Sequence, residues 1–345
     1  MRWRICRGPA GRWAWCFAGL WVLPVMSAST APPTAAVSIE RVSYHGWADA
    51  YRLRNDTVEL VVVPAIARIV HYGYLGQANL LWENVALQGV SAAPGRWYNY
   101  GGDKIWLWPQ EDWPARCGSG WPPSTDLPGL IAHEAAIVDG GLRLTSPSIP
   151  GFGVRTIREI RLAQTGTRVF LTNRIERLAT DADFRLAPWT VTQLPADGQI
   201  FARLLPGTRL ADGYRVMDEA PFRGVTRVAD RVLTIERPKD RRARIRLDAD
   251  VLAWQRGEDL FIERSVDVTP LSEVAPGERA QIYSHPDGDA ELPPGVAYVE
   301  LELAEAMHTL RAGEIATLKT TWELVRLPAS ERTPQAIAER LRASR

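Results

Sequence analysis

An all-β fold is what this sequence predicts: a large antiparallel β-sandwich carrying one short C-terminal helix. Three observations carry that prediction. Apolar residues recur mainly with period two, as in strands that bury one face and wet the other. Turn dipeptides (Asp139-Gly140, Asp197-Gly198, Asp212-Gly213 and Asp287-Gly288) separate the runs, each supplying backbone that hairpin turns favour. The runs amount to roughly fifteen or more strands, too many for one open twisted sheet, so two large sheets must pack face to face.

The chain has 345 residues, and its first segment reads as an address. Arg2, Arg4, Arg7 and Arg12 precede an apolar run from Trp13 to Met26, and the small residues Ser27, Ala28 and Ser29 follow. Basic, hydrophobic, then small is the order of a secretory signal. The apolar run is short of the ~20 residues that span a bilayer. The expectation is a signal peptide over 1–29, a β-sandwich domain over 36–328 and a helical C-terminus over 329–345. The mature protein is expected to be exported, periplasmic or secreted, with no membrane span after cleavage. Losing residues 1–29 removes four arginines and no acid, taking the formal net charge from +1 to −3. That balance offers no basic stripe for nucleic acid. It also removes Cys6 and Cys16, leaving Cys117 without a disulfide partner inside the chain. Cys117 reads as a small packed residue among tryptophans.

Taken in order, Val58–Val63 is a valine-rich strand ending at Pro64. Arg168–Leu178 is strand-like. Arg242–Leu247 alternates strictly, with Arg242, Arg244 and Arg246 outward and the apolar residues inward. Arg256-Gly257-Glu258-Asp259 joins a further hairpin. Val296–Leu303 and Ile315–Leu327 repeat the alternation. The helix signals lie at the end: Thr333 as N-cap, Pro334 at the first helical position, and Ala336, Ile337 and Leu341 spaced for one face. This helix is expected to lie on the outside of a sheet.

The chemistry concentrates between Arg96 and Pro123, which holds five of the fourteen tryptophans. Gly and Pro interrupt the run, so it reads as a long rigid loop rather than one regular element. Indole faces beside charged groups suit a ligand with apolar faces and polar edges, and a sugar is the obvious candidate. Trp106, Trp108, Trp113 and Trp121 are read as ligand contacts, and Trp82 and Trp322 as core. Asp103, Lys104 and Gln110 would give directional hydrogen bonds. The five histidines show no metal spacing and there is no cysteine cluster, so no metal and no cofactor is expected. No Gly-x-Ser-x-Gly elbow and no phosphate-cradling glycine loop occurs. Glu300 and Glu302 share one face of a strand, because i and i+2 project together. Two readings fit that face: an ordinary solvated surface, or a concave surface where a carboxylate acts as base or holds hydroxyls.

Gly101-Gly102-Asp103-Lys104-Ile105-Trp106-Leu107-Trp108-Pro109-Gln110, followed by Trp121-Pro122-Pro123, resembles a bacterial family of unknown function with the galactose-mutarotase-like fold. Asn55 to Pro64, Ala67-Arg68-Ile69, Asn79-Leu80-Leu81, Glu300 to Glu302, Gly313-Glu314 and Trp322 match more generically. The resemblance implies a β-supersandwich with a carbohydrate-binding concave face. Aldose mutarotases of this fold use a Glu base on a late strand and a His acid on a middle strand. Glu300 is similar in position to that base. Pro188–Leu194, where the histidine is expected, contains none, and no histidine occurs between His133 and His285. The resulting expectation is an exported carbohydrate-binding protein without ordinary aldose mutarotase activity. Trp106, Trp108, Trp121 and Trp189 would form its stacking wall, with Lys104, Gln110 and Glu300 as polar contacts. The alternatives are an epimerase or polysaccharide-degrading enzyme using Lys104 and Glu300 as acid and base, and an envelope protein whose tryptophans bind a protein partner.

Overall fold

Alternating side chains commit each strand to two different environments, and here they fill a sandwich. In a computed structural model that describes residues 37–93, 96–118, 120–122, 127–178, 184–218, 222–288 and 297–343, the strands form two antiparallel sheets of eleven and ten strands. The larger sheet runs through Ser38–Tyr44, Trp47–Arg54, Val58–Val63, Arg68–Tyr74, Asp103–Trp108, Phe184–Pro195, Tyr298–Ala304, Ala280–Ser284, Ala243–Leu247 and Tyr214–Val216, with His308–Leu310 pairing Phe184–Pro195. The smaller runs through Val225–Ala229, Val232–Ile235, Gln199–Leu204, Ala249–Arg256, Asp259–Val266, Ile315–Arg326, Val169–Arg177, Val154–Leu162, Gly141–Thr145 and Glu134–Val138.

Between the layers lies one apolar cluster. The larger sheet contributes Leu60, Ile69, Ile245, Ile282, Leu301 and Leu303, and the smaller Ile160, Leu171, Ile200, Leu252, Phe261 and Trp322. Burying each such side chain contributes roughly 1.5–3 kcal/mol. Trp322 packs edge-on against Phe261, ring centroids 5.4 Å apart, and Trp82 stacks on Tyr298 at 4.6 Å. Both tryptophans are buried, as expected from their strand-like surroundings.

The expected strands at Val58–Val63, Val169–Arg177, Ala243–Leu247 and Ile315–Arg326 are present, and Tyr298–Ala304 replaces Val296–Leu303, whose first residue lies outside the described residues. Asp139-Gly140 and Arg256–Asp259 close hairpins. Asp197-Gly198 and Asp212-Gly213 do not: each joins strands of different sheets. The helix spans Pro334–Ala343, and Thr333 Oγ1 accepts a hydrogen bond from the Ala336 amide at 3.3 Å. Ile337, Ala338 and Leu341 bury against Phe201, Val251 and Ile262 on the outer face of the smaller sheet. Ala338 takes the place expected for Ala336. Among the described residues, no helix is long and apolar enough to cross a membrane. Residues 1–29, read as a signal, lie outside the described residues.

One expectation is corrected. Asp103–Trp108 is not loop but a fully buried strand in the middle of the larger sheet. The glycines are punctuation rather than interruption. Gly101 and Gly102 enter the strand at φ +88° and +70°, and a Cβ at either would come within 2.2 Å of the Trp82 or Ile69 carbonyl oxygen. Pro109 follows the last strand residue, where its missing N–H costs no ladder bond.

Candidate functional site

The outer face of the larger sheet carries a regular grid. Register places Trp106 beside Trp189 and Trp189 beside Ala304. The next row runs Lys104, Val191, Glu302, Gln281, Arg246, and the next Gln193, Glu300, Tyr283, Arg244. Residues two apart on a strand share a face, and directly paired Cβ atoms lie about 4.5–5.5 Å apart, so these side chains converge. Of this grid, Trp106, Trp189, Glu302, Gln281, Glu300, Tyr283 and Arg244 line a cavity of about 150 Å³, completed by Trp97, Asn99, Gln110, Trp121, Asp218, Arg242 and Tyr298.

Aromatic rings form one wall. Trp97 lies 5.2 Å from Trp121 and 5.8 Å from Trp106, and Trp106 lies 5.3 Å from Trp189. Trp106 and Trp189 are 3% and 2% exposed, whereas Trp121 is 49% exposed at the rim. Only Trp121 therefore offers a broad accessible ring. Trp113 is wholly buried and donates from Nε1 to the Leu107 carbonyl at 2.9 Å, so it props the wall from behind rather than touching a ligand. Cys117 packs against the same cluster, its Sγ 3.1 Å from the Trp113 carbonyl.

Carboxylates form the other wall. Glu300 Oε1 accepts from Gln193 Nε2 at 2.8 Å and lies 3.7 Å from Lys104 Nζ. Among the described residues no donor reaches Oε2, which leaves it to the cavity. Burial pushes the Glu300 carboxyl above its ordinary range, opposed chiefly by the Lys104 charge. Glu302, held by Gln281 Nε2 at 3.1 and 3.0 Å, is pushed up to about 8 by burial and by the neighbouring Glu300 charge. Lys104 is pushed down to about 8 by burial, with Glu300 pulling the other way. Lys104 Nζ, Trp106 Nε1, Gln193 Oε1 and Asn99 Oδ1 are buried and have no hydrogen-bond partner among the described residues. Buried polar atoms rarely stay unpaired, so water or a ligand must serve them.

The sequence-derived residues divide. Trp106, Gln110, Trp121, Trp189 and Glu300 line the cavity; Asp103, Lys104 and Trp108 do not. Strand alternation sends Asp103 to the opposite face, where it pairs with Arg158 and accepts from Thr192 Oγ1 at 2.9 Å. Lys104 points to the site side but lies buried under it, 4.1 Å from the Trp106 ring centre, and acts through Glu300. Trp108 is covered by Arg246, 4.6 Å above its ring. Trp97, Gln193, Arg244, Gln281 and Tyr283 were not singled out from sequence. Arg244 carried a signal in the strict Arg-x-Arg-x-Arg alternation; the others carried none before strand order was known. Within Pro188–Leu194, the site-facing positions are Trp189, Val191 and Gln193, and Gln193 faces Glu300. Among the described residues, no three His, Cys, Asp or Glu side chains converge as metal ligands.

No protein-family model and no curated protein matches the sequence. Solved structures do match in architecture. A provisional aldose 1-epimerase from Escherichia coli K12 superposes with a TM-score of 0.55 at 12% identity, over 81% of this chain and 99% of that one. A provisional mutarotase from Salmonella typhimurium gives 0.53 at 11% identity, over 84% and 94%. Galactose 1-epimerase from Lactobacillus acidophilus gives 0.50 at 11%, over 85% and 100%. Likeness at such identity speaks for architecture alone: this chain has the galactose-mutarotase-like fold.

Proposed function

We propose that this protein is an exported carbohydrate-binding protein whose ligand sits in the concave cavity of the larger sheet. The observation that carries this reading is the meeting of an indole wall with a carboxylate wall in one cavity, where Trp106 Nε1 and Asn99 Oδ1 are buried without a hydrogen-bond partner among the described residues. A sugar ring has an apolar face for Trp121 and hydroxyls for Glu300 Oε2, Gln193 and Asn99. The cavity, about 150 Å³, is small beside the ~300–1,000 Å³ of ordinary ligand pockets, which favours one sugar ring over a long chain. The architectural neighbours named as sugar epimerases agree with this class. The signal-like residues 1–29 support export to the periplasm or medium. Ordinary mutarotation is not part of the proposal, because no histidine stands on the strand facing Glu300. Titration with neutral and acidic monosaccharides while following tryptophan emission tests it: saturable change with at least one sugar is expected, and a flat response across the panel overturns it.

A second reading, an epimerase or polysaccharide-degrading enzyme using Lys104 and Glu300, is favoured by one observation. The lysine, brought down to about 8, lies 3.7 Å from the carboxylate. Such perturbed pairs cluster at catalytic centres. It predicts turnover that vanishes in Lys104→Ala and Glu300→Gln while sugar binding persists.

A further inference from the structure

Two neighbouring rows of the grid end in arginines, and only one of these is spent. Arg246 donates to Glu111 Oε1 at 2.6 Å and covers the Trp108 ring. Arg244, two residues earlier on the same strand, lines the cavity. Its backbone is held in place: the N–H donates to Asp218 Oδ2, and the carbonyl accepts from the Met217 amide at 2.9 Å. Its guanidinium makes no hydrogen bond and no ion pair among the described residues, and Glu300 and Glu302 feel its charge only from further off. The surrounding charge has the same sign. Arg242 also lines the cavity, while Arg68 and Lys104 lie wholly buried, their charges facing Glu300. Arg68 Nη2 and Lys104 Nζ have no hydrogen-bond partner among the described residues. Against these four cations stand Asp218, Glu300 and Glu302. Burial pushes both glutamic acids above their ordinary range, so they weigh less than their number. A cleft lined by a surplus of one sign concentrates the opposite charge.

We infer that this cavity takes an acidic sugar, one ring bearing one carboxylate, and that Arg244 is the residue that selects it by docking that carboxylate. The inference rests on the sugar-binding reading and narrows it from sugars at large to hexuronate-type monoanions. Arginine's planar fork matches two carboxylate oxygens at once. A phosphate would bring a second negative charge beside Asp218 and Glu300, so the monoanion is the better match for one fork flanked by carboxyls. Register sets Arg244 beside Tyr283 and Tyr283 beside Glu300. Two strand spacings, about 10 Å, therefore separate their backbones. A single sugar ring fits between them, its carboxylate on Arg244, a hydroxyl on Glu300 Oε2 and one face on Trp121.

The test compares four kinds of ligand by tryptophan emission and calorimetry: hexuronates, their neutral amides, the parent hexoses and hexose 6-phosphates. The amide removes the charge and keeps the shape, so the wild type alone decides the matter even if a variant fails to fold. At least one uronate is expected to bind on the order of 10–100-fold tighter than its amide, the size of a charged hydrogen bond. Added salt should narrow that ratio. In Arg244→Gln the ratio should fall to about threefold or less, because the charged donor is gone. Equal binding of uronate and amide by the wild type overturns the inference and leaves sugar binding standing. So does tighter binding of a hexose 6-phosphate than of any uronate, or a preference unchanged in Arg244→Gln. Absence of binding by all four kinds removes the reading beneath it.

Discussion

The same strands carry two buried polar clusters, one on each face of the larger sheet, and they differ in what lies beside them. On the inner face, Asp103 pairs with Arg158, and Thr192 Oγ1 lies 2.9 Å from Asp103 Oδ2 and 3.0 Å from Glu263 Oε2. One hydroxyl hydrogen cannot serve two carboxylates. Burial and the Asp103 charge accordingly push Glu263 up to about 8. On the outer face, one residue further along each strand, Lys104 and Gln193 leave polar atoms unpaired beside a cavity. Both leave a buried nitrogen without a hydrogen-bond partner among the described residues, Arg158 Nε inside and Lys104 Nζ outside; the inner cluster ties the two sheets together, whereas the outer one borders the cavity. Alternation alone separates Asp103 from Lys104, a structural residue from one that tunes the site.

The largest effect should come from the cluster between the sheets. Asp103→Ala leaves the Arg158 charge buried and unpaired, which costs about 3–5 kcal/mol. Urea denaturation should show it as a large fall in midpoint; a midpoint near wild type would mean the inner cluster is not what holds this region. On the open side, Glu300→Gln should weaken sugar binding about tenfold, the size of a charged hydrogen bond lost, and should cost less stability than Asp103→Ala because Lys104, already brought down to about 8, can give up its proton once the carboxylate is gone. Calorimetric titration against the same sugar separates the two effects. Trp121→Ala removes a stacking face worth ~0.5–1.5 kcal/mol, a loss of about threefold to tenfold in affinity, with an unchanged melting temperature.

The smallest effects concern protons and sharpen the contrast. Glu263 and Glu302 both have folded values near 8 against an ordinary 4.5. Between those values the folded chain holds protons the unfolded chain has lost, so stability falls as pH rises through that window. Glu263→Gln and Glu302→Gln should each flatten that fall, seen as denaturation midpoints at pH 5 and pH 8 drawing together. Bound sugar should alter the slope in Glu263→Gln, where the outer carboxyl still titrates, and should alter it less in Glu302→Gln.

Much of the architecture was legible because strands write their buried face into the sequence with period two. Arg242–Leu247 and Glu300–Glu302 showed which residues face away from the core. They could not show what lies over them, and a cavity wall alternates just as a wet surface does. The tryptophan run was misread for a physical reason: Gly101, Gly102 and Pro109 bound the strand Asp103–Trp108 closely enough to look like interruptions of it. Reading the run as loop hides the alternation that separates Asp103 from Trp106; Trp108 shares the face of Trp106, and only the Arg246 side chain over its ring removes it from the site. Gln193, Gln281 and Tyr283 were invisible because the order placing them beside Glu300 joins strands far apart in the chain.

The most direct test is a crystal structure with the sugar that gives the strongest tryptophan response. The account predicts a ring with one face on Trp121 and a hydroxyl within hydrogen-bond distance of Glu300 Oε2. A sugar bound elsewhere, with that wall empty, would contradict it.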